Sequence, residues 1–313
     1  MKKWTLTNID GDGTEVKQYF DTREEAEREA EWTFGRLEFL EVEDEEQEKK
    51  MCKVIAVANQ KGGVGKTTTT LNMGAGLMLK GKRVLMVDFD QQANLTLNCG
   101  VRDFDDLKES IATAMEAVID DETEVMPQIF EYRNSGGIAR VDFIPSNIEM
   151  AKINLELVQV MAREFVLKKL LEPLKDRYEY ILIDCAPSLS VDLINALVAA
   201  DEVLIVMTPG KFSTSGTEQL IKSINKTKRN LNANLEIAGV LFNRVDRRNN
   251  FTKDIIESMR STWGQDIRIF DTEIPNSIRI DESQSMGEYI AEYEPNNKVA
   301  MAYEAFVEEY LRR

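Results

Sequence analysis

The sequence predicts an α/β fold: a mostly parallel, twisted sheet flanked by helices, preceded by a small hairpin-helix appendage. Three observations carry this reading. From residue 51 onward, short apolar runs alternate with helical or loop segments. The first run leads through a glycine-rich turn into a helix. Two later runs end in aspartates, at the carboxyl ends of strands where open parallel sheets bind ligands.

Taken in order, residues 4–20 alternate apolar and polar around Asp10-Gly11-Asp12-Gly13, a hairpin signal. A helix is expected next. Asp21 or Thr22 caps it, Glu24 and Glu25 suit its first turn, and Ala26, Ala30, Trp32, Phe34, Leu37 and Leu40 supply an apolar face. Residues 41–50 are almost all charged and read as a solvated helix end or linker, which puts the expected boundary after residue 50. Residues 1–50 are then an acidic appendage, and residues 51–313 the sheet domain.

Residues 54–70 read as a buried strand, a phosphate-binding loop and the start of a helix. Gly62, Gly63 and Gly65 let the backbone curl so that successive amides, including those of Val64 and Thr68, face one anion, and the helix adds its positive end. Lys66 is placed against the β- and γ-phosphates, and Thr67 offers its hydroxyl to Mg²⁺. The common spacing Gly-x-x-x-x-Gly-Lys-Thr has Gln60 in place of its first glycine, followed by a second lysine, Lys61.

Further strands are expected at 84–88, 181–184, 203–207 and 237–242. Val87-Asp88-Phe89-Asp90 sets two carboxylates on one side of an extended segment. Asp184 closes the run Tyr180-Ile181-Leu182-Ile183, a position from which a carboxylate holds Mg²⁺ through water. A helix cap or loop carboxylate is the alternative role for each. Asn243 and Arg244 follow the last strand, where Asn243 is either a turn residue or a reader of a base edge.

Charge is uneven. The chain carries −16 overall; residues 1–50 hold 16 acidic and 8 basic side chains, whereas residues 211–279 hold 12 basic and 8 acidic. Lys222, Lys226, Lys228 and Arg229 share one predicted helix, with Arg247, Arg248 and Arg279 further on; this is either a solvated face or a surface for nucleic-acid phosphates. Three scattered cysteines without a Cys-x-x-Cys pair exclude a disulfide framework, and a reduced cytoplasmic setting is expected. The absence of histidine excludes His-based acid/base chemistry. No apolar run approaches a membrane span, and the acidic N-terminus is unlike a signal peptide.

Lys61-Gly62-Gly63-Val64-Gly65-Lys66-Thr67-Thr68, with the paired aspartates, Asp184 and the Ile274-Pro275 segment, resembles the deviant Walker A loop ATPases of the ParA/MinD family, most of all their Soj-like DNA-partitioning members. The resemblance covers residues 51 to 313 and implies a P-loop NTPase that binds ATP and Mg²⁺. It implies that Lys61 reaches across an ATP-bound homodimer to the partner subunit's phosphates, that Asp90 positions or activates the attacking water, and that Asp88 helps order the metal beside Thr67 and Asp184. Asn243, Arg244 and Pro275 fall where members hold adenine. Arg247, Arg248 and Arg279 fall where ParA-like proteins bind DNA without sequence preference, assisted by a ParB-like adaptor and associated with the nucleoid. Members usually continue Asp-Pro-Gln-Gly-Asn where this chain has Asp90-Gln91-Gln92-Ala93-Asn94. A MinD-like membrane switch, cargo positioning by the same cycle and a non-enzymatic nucleotide-binding module are the competing readings; the acidic C-terminus, with Glu304, Glu308 and Glu309, disfavours a membrane.

Overall fold

The computed structural model describes residues 3–9, 15–20, 36–40, 52–121, 125–133, 140–210 and 213–313. It divides into two compact units, 1–50 and 51–313. In the first, β1 (Lys3–Ile9) pairs antiparallel with β2 (Glu15–Phe20) and with β3 (Arg36–Leu40), giving the order β2-β1-β3. The expected hairpin is present. The expected helix falls mostly on residues 21–35, outside the described residues; Leu37 and Leu40, assigned to its apolar face, belong instead to β3. Leu37-Glu38-Phe39 has period two, and a third strand completes a hairpin that is marginal by itself.

The second unit is built on an eight-stranded sheet in the order β11-β10-β9-β4-β8-β5-β7-β6. Its strands are β4 (Lys53–Ala58), β5 (Val84–Phe89), β6 (Phe130–Arg133), β7 (Arg140–Ile144), β8 (Tyr180–Cys185), β9 (Glu202–Met207), β10 (Glu236–Val245) and β11 (Ile269–Pro275). All neighbours pair parallel except β6 with β7. Burial explains the unbroken apolar runs. Along β4, Val54, Ala56 and Ala58 enter one core while Ile55 and Val57 enter the other, so helices cover both faces.

Eleven helices of four or more residues are described: α1 (Lys66–Leu79), α2 (Asn94–Asn98), α3 (Ile111–Ile119), α4 (Met150–Glu156), α5 (Val166–Leu171), α6 (Val191–Ala199), α7 (Ser213–Asn230), α8 (Asn250–Thr262), α9 (Arg279–Met286), α10 (Ile290–Tyr293) and α11 (Lys298–Leu311). Helix α1 lies close on the sheet because Gly74 has no side chain; a Cβ there would sit 2.8 Å from Met86 Sδ. Helix α11 packs through Phe306, whose ring meets Phe270 of β11 edge-on at 5.0 Å. It also lends Glu309, whose carboxylate accepts the backbone amides of Asp271 (2.8 Å) and Thr272 (2.9 Å) on edge strand β11. Among the described residues, no helix is long and apolar enough to cross a membrane.

Strand order positions the site. The chain runs from β4 out to β5 and the edge strand β6, comes back through β7 to β8 beside β4, then continues on β4's other side through β9 to β11. The carboxyl ends of β4, β8 and β5 therefore meet at this reversal, the place where such sheets bind ligands.

Candidate functional site

The loop after β4 turns through Gly63 at φ +70° and Gly65 at φ +94°, conformations that favour glycine. Gly65 caps α1, whose first turn holds no acidic residue, so nothing of its own competes for the positive end of the helix. Lys66 is 7% exposed, and its ammonium makes one long bond, 3.5 Å to the carbonyl of Lys61. Burial lowers its pKa, against the attraction of Asp184. Lys61 is exposed; its backbone amide is tied to Asn59 Oδ1 (2.9 Å), and its ammonium has no hydrogen bond or ion pair among the described residues.

Opposite the loop, Asp88 of β5 and Asp184 of β8 stand side by side in register, both completely buried or nearly so. Burial pushes both carboxyls above the usual carboxylate range; the like charge of Asp88, and less that of Asp90, adds to the rise at Asp184, and that of Asp90 adds to it at Asp88. Their hydrogen bonds differ. Asp88 Oδ2 accepts from the amide (2.8 Å) and hydroxyl (2.7 Å) of Thr96, and Oδ1 from the amide of Asp90 (3.3 Å), so both oxygens are engaged within the protein. Asp184 Oδ1 accepts from the Thr70 hydroxyl (3.4 Å), whereas Oδ2 is buried without a partner. The neighbouring Thr67 acts against burial and lowers the Asp184 pKa.

Asp90 lies at the mouth of the site, 8% exposed, with Oδ1 accepting the Gln92 amide (3.0 Å). The segment from Asp90 closes a turn through the bond from the Ala93 amide to the Asp90 carbonyl (2.9 Å), and Ala93 takes φ +50°. Alanine thus adopts the left-handed conformation usual for the glycine it replaces.

Asn243 is buried at the end of β10, its amide turned onto the loop: Nδ2 donates to Gly65 O and to Thr69 Oγ1, each at 3.4 Å. Arg244 Nη1 donates to Gly63 O (3.1 Å). Both line a cleft with Thr68, Pro275, Ile280 and Asp281. The other basic candidates lie on the segments after β10 and β11, each matched to a carboxylate: Arg247 with Glu273, Arg248 with Asp246, and Arg279 with Glu282 and Glu294. The Arg248 bond holds Asp246 down to about 2. Lys222, Lys226, Lys228 and Arg229 are exposed on α7.

Several residues that shape the site carry no motif. Thr96 holds Asp88, Gln284 of α9 donates to Thr68 Oγ1 (3.0 Å), and Tyr303 of α11 meets Thr69 Oγ1 at 3.3 Å. Gln284 and Tyr303 arrive from distant stretches of chain, and Thr96, close behind Asp88 in sequence, belongs to no motif.

The orphaned Asp184 oxygen, the weakly held Lys66 ammonium and the unguarded start of α1 fit a polyphosphate with a divalent cation. Fold and site together define a P-loop nucleotide-binding protein. The AAA domain family matches residues 52–237. The sporulation initiation inhibitor protein Soj of Bacillus subtilis is 37% identical over 253 residues, 81% of this chain and 96% of its own. The chromosome partitioning protein ParA of Caulobacter vibrioides is 33% identical over 263 residues, covering 83% and 94%. Among solved structures, cobyrinic acid a,c-diamide synthase of Mycobacterium smegmatis with bound ADP and magnesium superposes with a TM-score of 0.68 at 30% identity, covering 84% of this chain and 95% of that one. The same enzyme is known with an ATP analogue and magnesium. This chain belongs to the ParA/MinD family of ATPases. Its cofactors are ATP and Mg²⁺.

Proposed function

We propose that the chain is an ATP-driven switch in DNA partitioning: two copies close around ATP, the dimer binds DNA without sequence preference, and a ParB-like adaptor stimulates hydrolysis to ADP and phosphate. Release of the dimer then moves plasmid or chromosomal cargo over the nucleoid, in the cytoplasm. One observation carries the reading. Two lysines of a single loop stand in opposite situations: Lys66 is buried within the electrostatic reach of Asp184, while Lys61 is exposed and unpaired among the described residues. A buried lysine serves its own site; an exposed one beside the same site is free to serve a second copy.

Bound ATP and Mg²⁺ supply the transferable phosphoryl group and the positive charge that steadies it. Thr67 and the open oxygen of Asp184 hold the cation, and Asp88 fixes the 90–96 segment through Thr96 and the Asp90 amide. Asp90 orients the attacking water. Lys61 neutralises charge developing in the partner's site, the part an arginine finger plays elsewhere. Arg244 and Pro275 wall the cleft that takes the base, with Asn243 at its floor.

Relatives named for chromosome partitioning support the cellular role, and the basic surplus of residues 211–279 supports DNA as the surface. The deciding experiment is DNA binding with ATP, with ADP and without nucleotide. Binding is expected with ATP alone, to unrelated sequences equally; equal binding in all three conditions would refute the switch.

A further inference from the structure

We infer that Asn243 and Arg244 position the phosphate-binding amides of the loop, and that Tyr303 of α11 locks Asn243 in that task. This deepens the ATP-binding reading and rests on it. Asn243 Nδ2 reaches Gly65 O at 3.4 Å, and Arg244 Nη1 reaches Gly63 O at 3.1 Å. In a trans peptide the carbonyl of one residue and the N–H of the next point in opposite directions. Anchoring the Gly63 and Gly65 carbonyls therefore turns the Val64 and Lys66 amides the other way, and convergence of such amides is what an anion reads.

The packing is specific to this task. A Cβ at Gly65 would lie 2.1 Å from Asn243 Nδ2, so the amide occupies the space the glycine leaves. Arg244 sits at φ +56°, a conformation costly for a residue with a Cβ, and its amide is held by Asn243 Oδ1 at 2.7 Å. The Asn243 side chain is thereby occupied on both donors, by Gly65 O and Thr69 Oγ1, and on its oxygen by Arg244. Little of it is left to read a base edge. Behind it, Tyr303 hydroxyl meets Thr69 Oγ1 at 3.3 Å, and Asn243, Thr69 and Tyr303 are all 3% exposed or less, so no solvent replaces a lost partner.

The test measures affinity of the full chain for Mg-ATP, Mg-GTP and Mg-tripolyphosphate by calorimetry, with Asn243→Ala and Tyr303→Phe beside the parent and a melting curve for each. Positioning predicts that Asn243→Ala weakens all three ligands by one common factor of about tenfold, and Tyr303→Phe by a common factor of about threefold. Tyr303→Phe keeps the packed ring, so it answers even if Asn243→Ala fails to fold. A loss confined to the nucleotides, with tripolyphosphate affinity unchanged, overturns the inference in favour of base reading. Unchanged affinity for all three in Tyr303→Phe overturns the lock. A parent that binds none of the three sinks both this inference and the ATP-binding reading, whereas the other failures leave that reading standing.

Discussion

Lys66 and Lys61 share a loop but not an environment, and their substitutions should separate. Removing the Lys66 ammonium takes a buried cation from beside Asp184 and deprives the phosphates of their main counter-charge, so Lys66→Ala is expected to lose nucleotide binding by two orders of magnitude or more, on the order of 3 kcal/mol. Lys61→Ala is expected to retain binding within a few-fold and to lose ATP-dependent dimerisation. Calorimetry and light scattering with ATP read the two effects; an intact ATP dimer in Lys61→Ala removes the cross-subunit role. Ala93 makes a second residue-scale case. It holds φ +50° while completely buried, and the left-handed conformation costs a residue with a Cβ about 1–2 kcal/mol. Ala93→Gly is therefore expected to be neutral or stabilising by up to about 1 kcal/mol, once the greater freedom of unfolded glycine is set against the relief. Denaturant titration checks the sign, and a loss above about 1 kcal/mol shows that the Ala93 methyl contributes more by packing than its backbone costs.

At the scale of elements, the loop after β10 and the start of α9 present arginines that already have partners. Arg248 is 92% exposed in its side chain and bonds Asp246 at 2.8 Å; such a pair contributes little to stability and exchanges readily for a phosphate. Arg248→Glu is expected to weaken DNA binding about tenfold, equally across sequences, and to flatten its salt dependence, with little change in melting temperature. Filter binding over a salt series checks this, and a loss confined to one sequence points to base contacts instead. The same scale explains what was legible beforehand. β4, β5, β8 and β9 are buried on both faces and announce themselves as apolar runs, whereas β6 with Glu131 and Arg133, and β11 with Asp271, Thr272 and Glu273, lie at the edges and mix polar residues into the strand. Lys66, Thr67, Asp88, Asp90 and Asp184 were legible because their chemistry sits in local motifs. Gln284 and Tyr303 were not, since only the folded chain brings them to the site, and Thr96 was not because it lies near Asp88 in sequence but in no motif.

For the whole molecule, charge is divided between the two units. Residues 1–50 carry 16 acidic and 8 basic side chains of a total of 55 and 39, half of the net −16. Deleting them is expected to tighten DNA binding several-fold at low salt, with the gain fading as the Debye length shortens toward ~8 Å near physiological ionic strength. Affinity unchanged at every salt concentration assigns the segment a role other than competing with DNA. A different consequence follows from Glu309. One rim of the sheet ends at β11, where outward amides would otherwise template the addition of a foreign strand, and this carboxylate already covers Asp271 and Thr272. Burial acts to raise its pKa, but the two amides and the Thr272 hydroxyl outweigh it and hold the group below its ordinary 4.5. With the folded value depressed, the cover is whole above that ordinary value and is lost as pH falls through the folded one. Acid should therefore unseal this rim, and Glu309→Ala should unseal it near neutral pH, raising thioflavin fluorescence and light scattering on prolonged incubation; a variant that stays as clear as the parent shows that β11 is guarded by some other group.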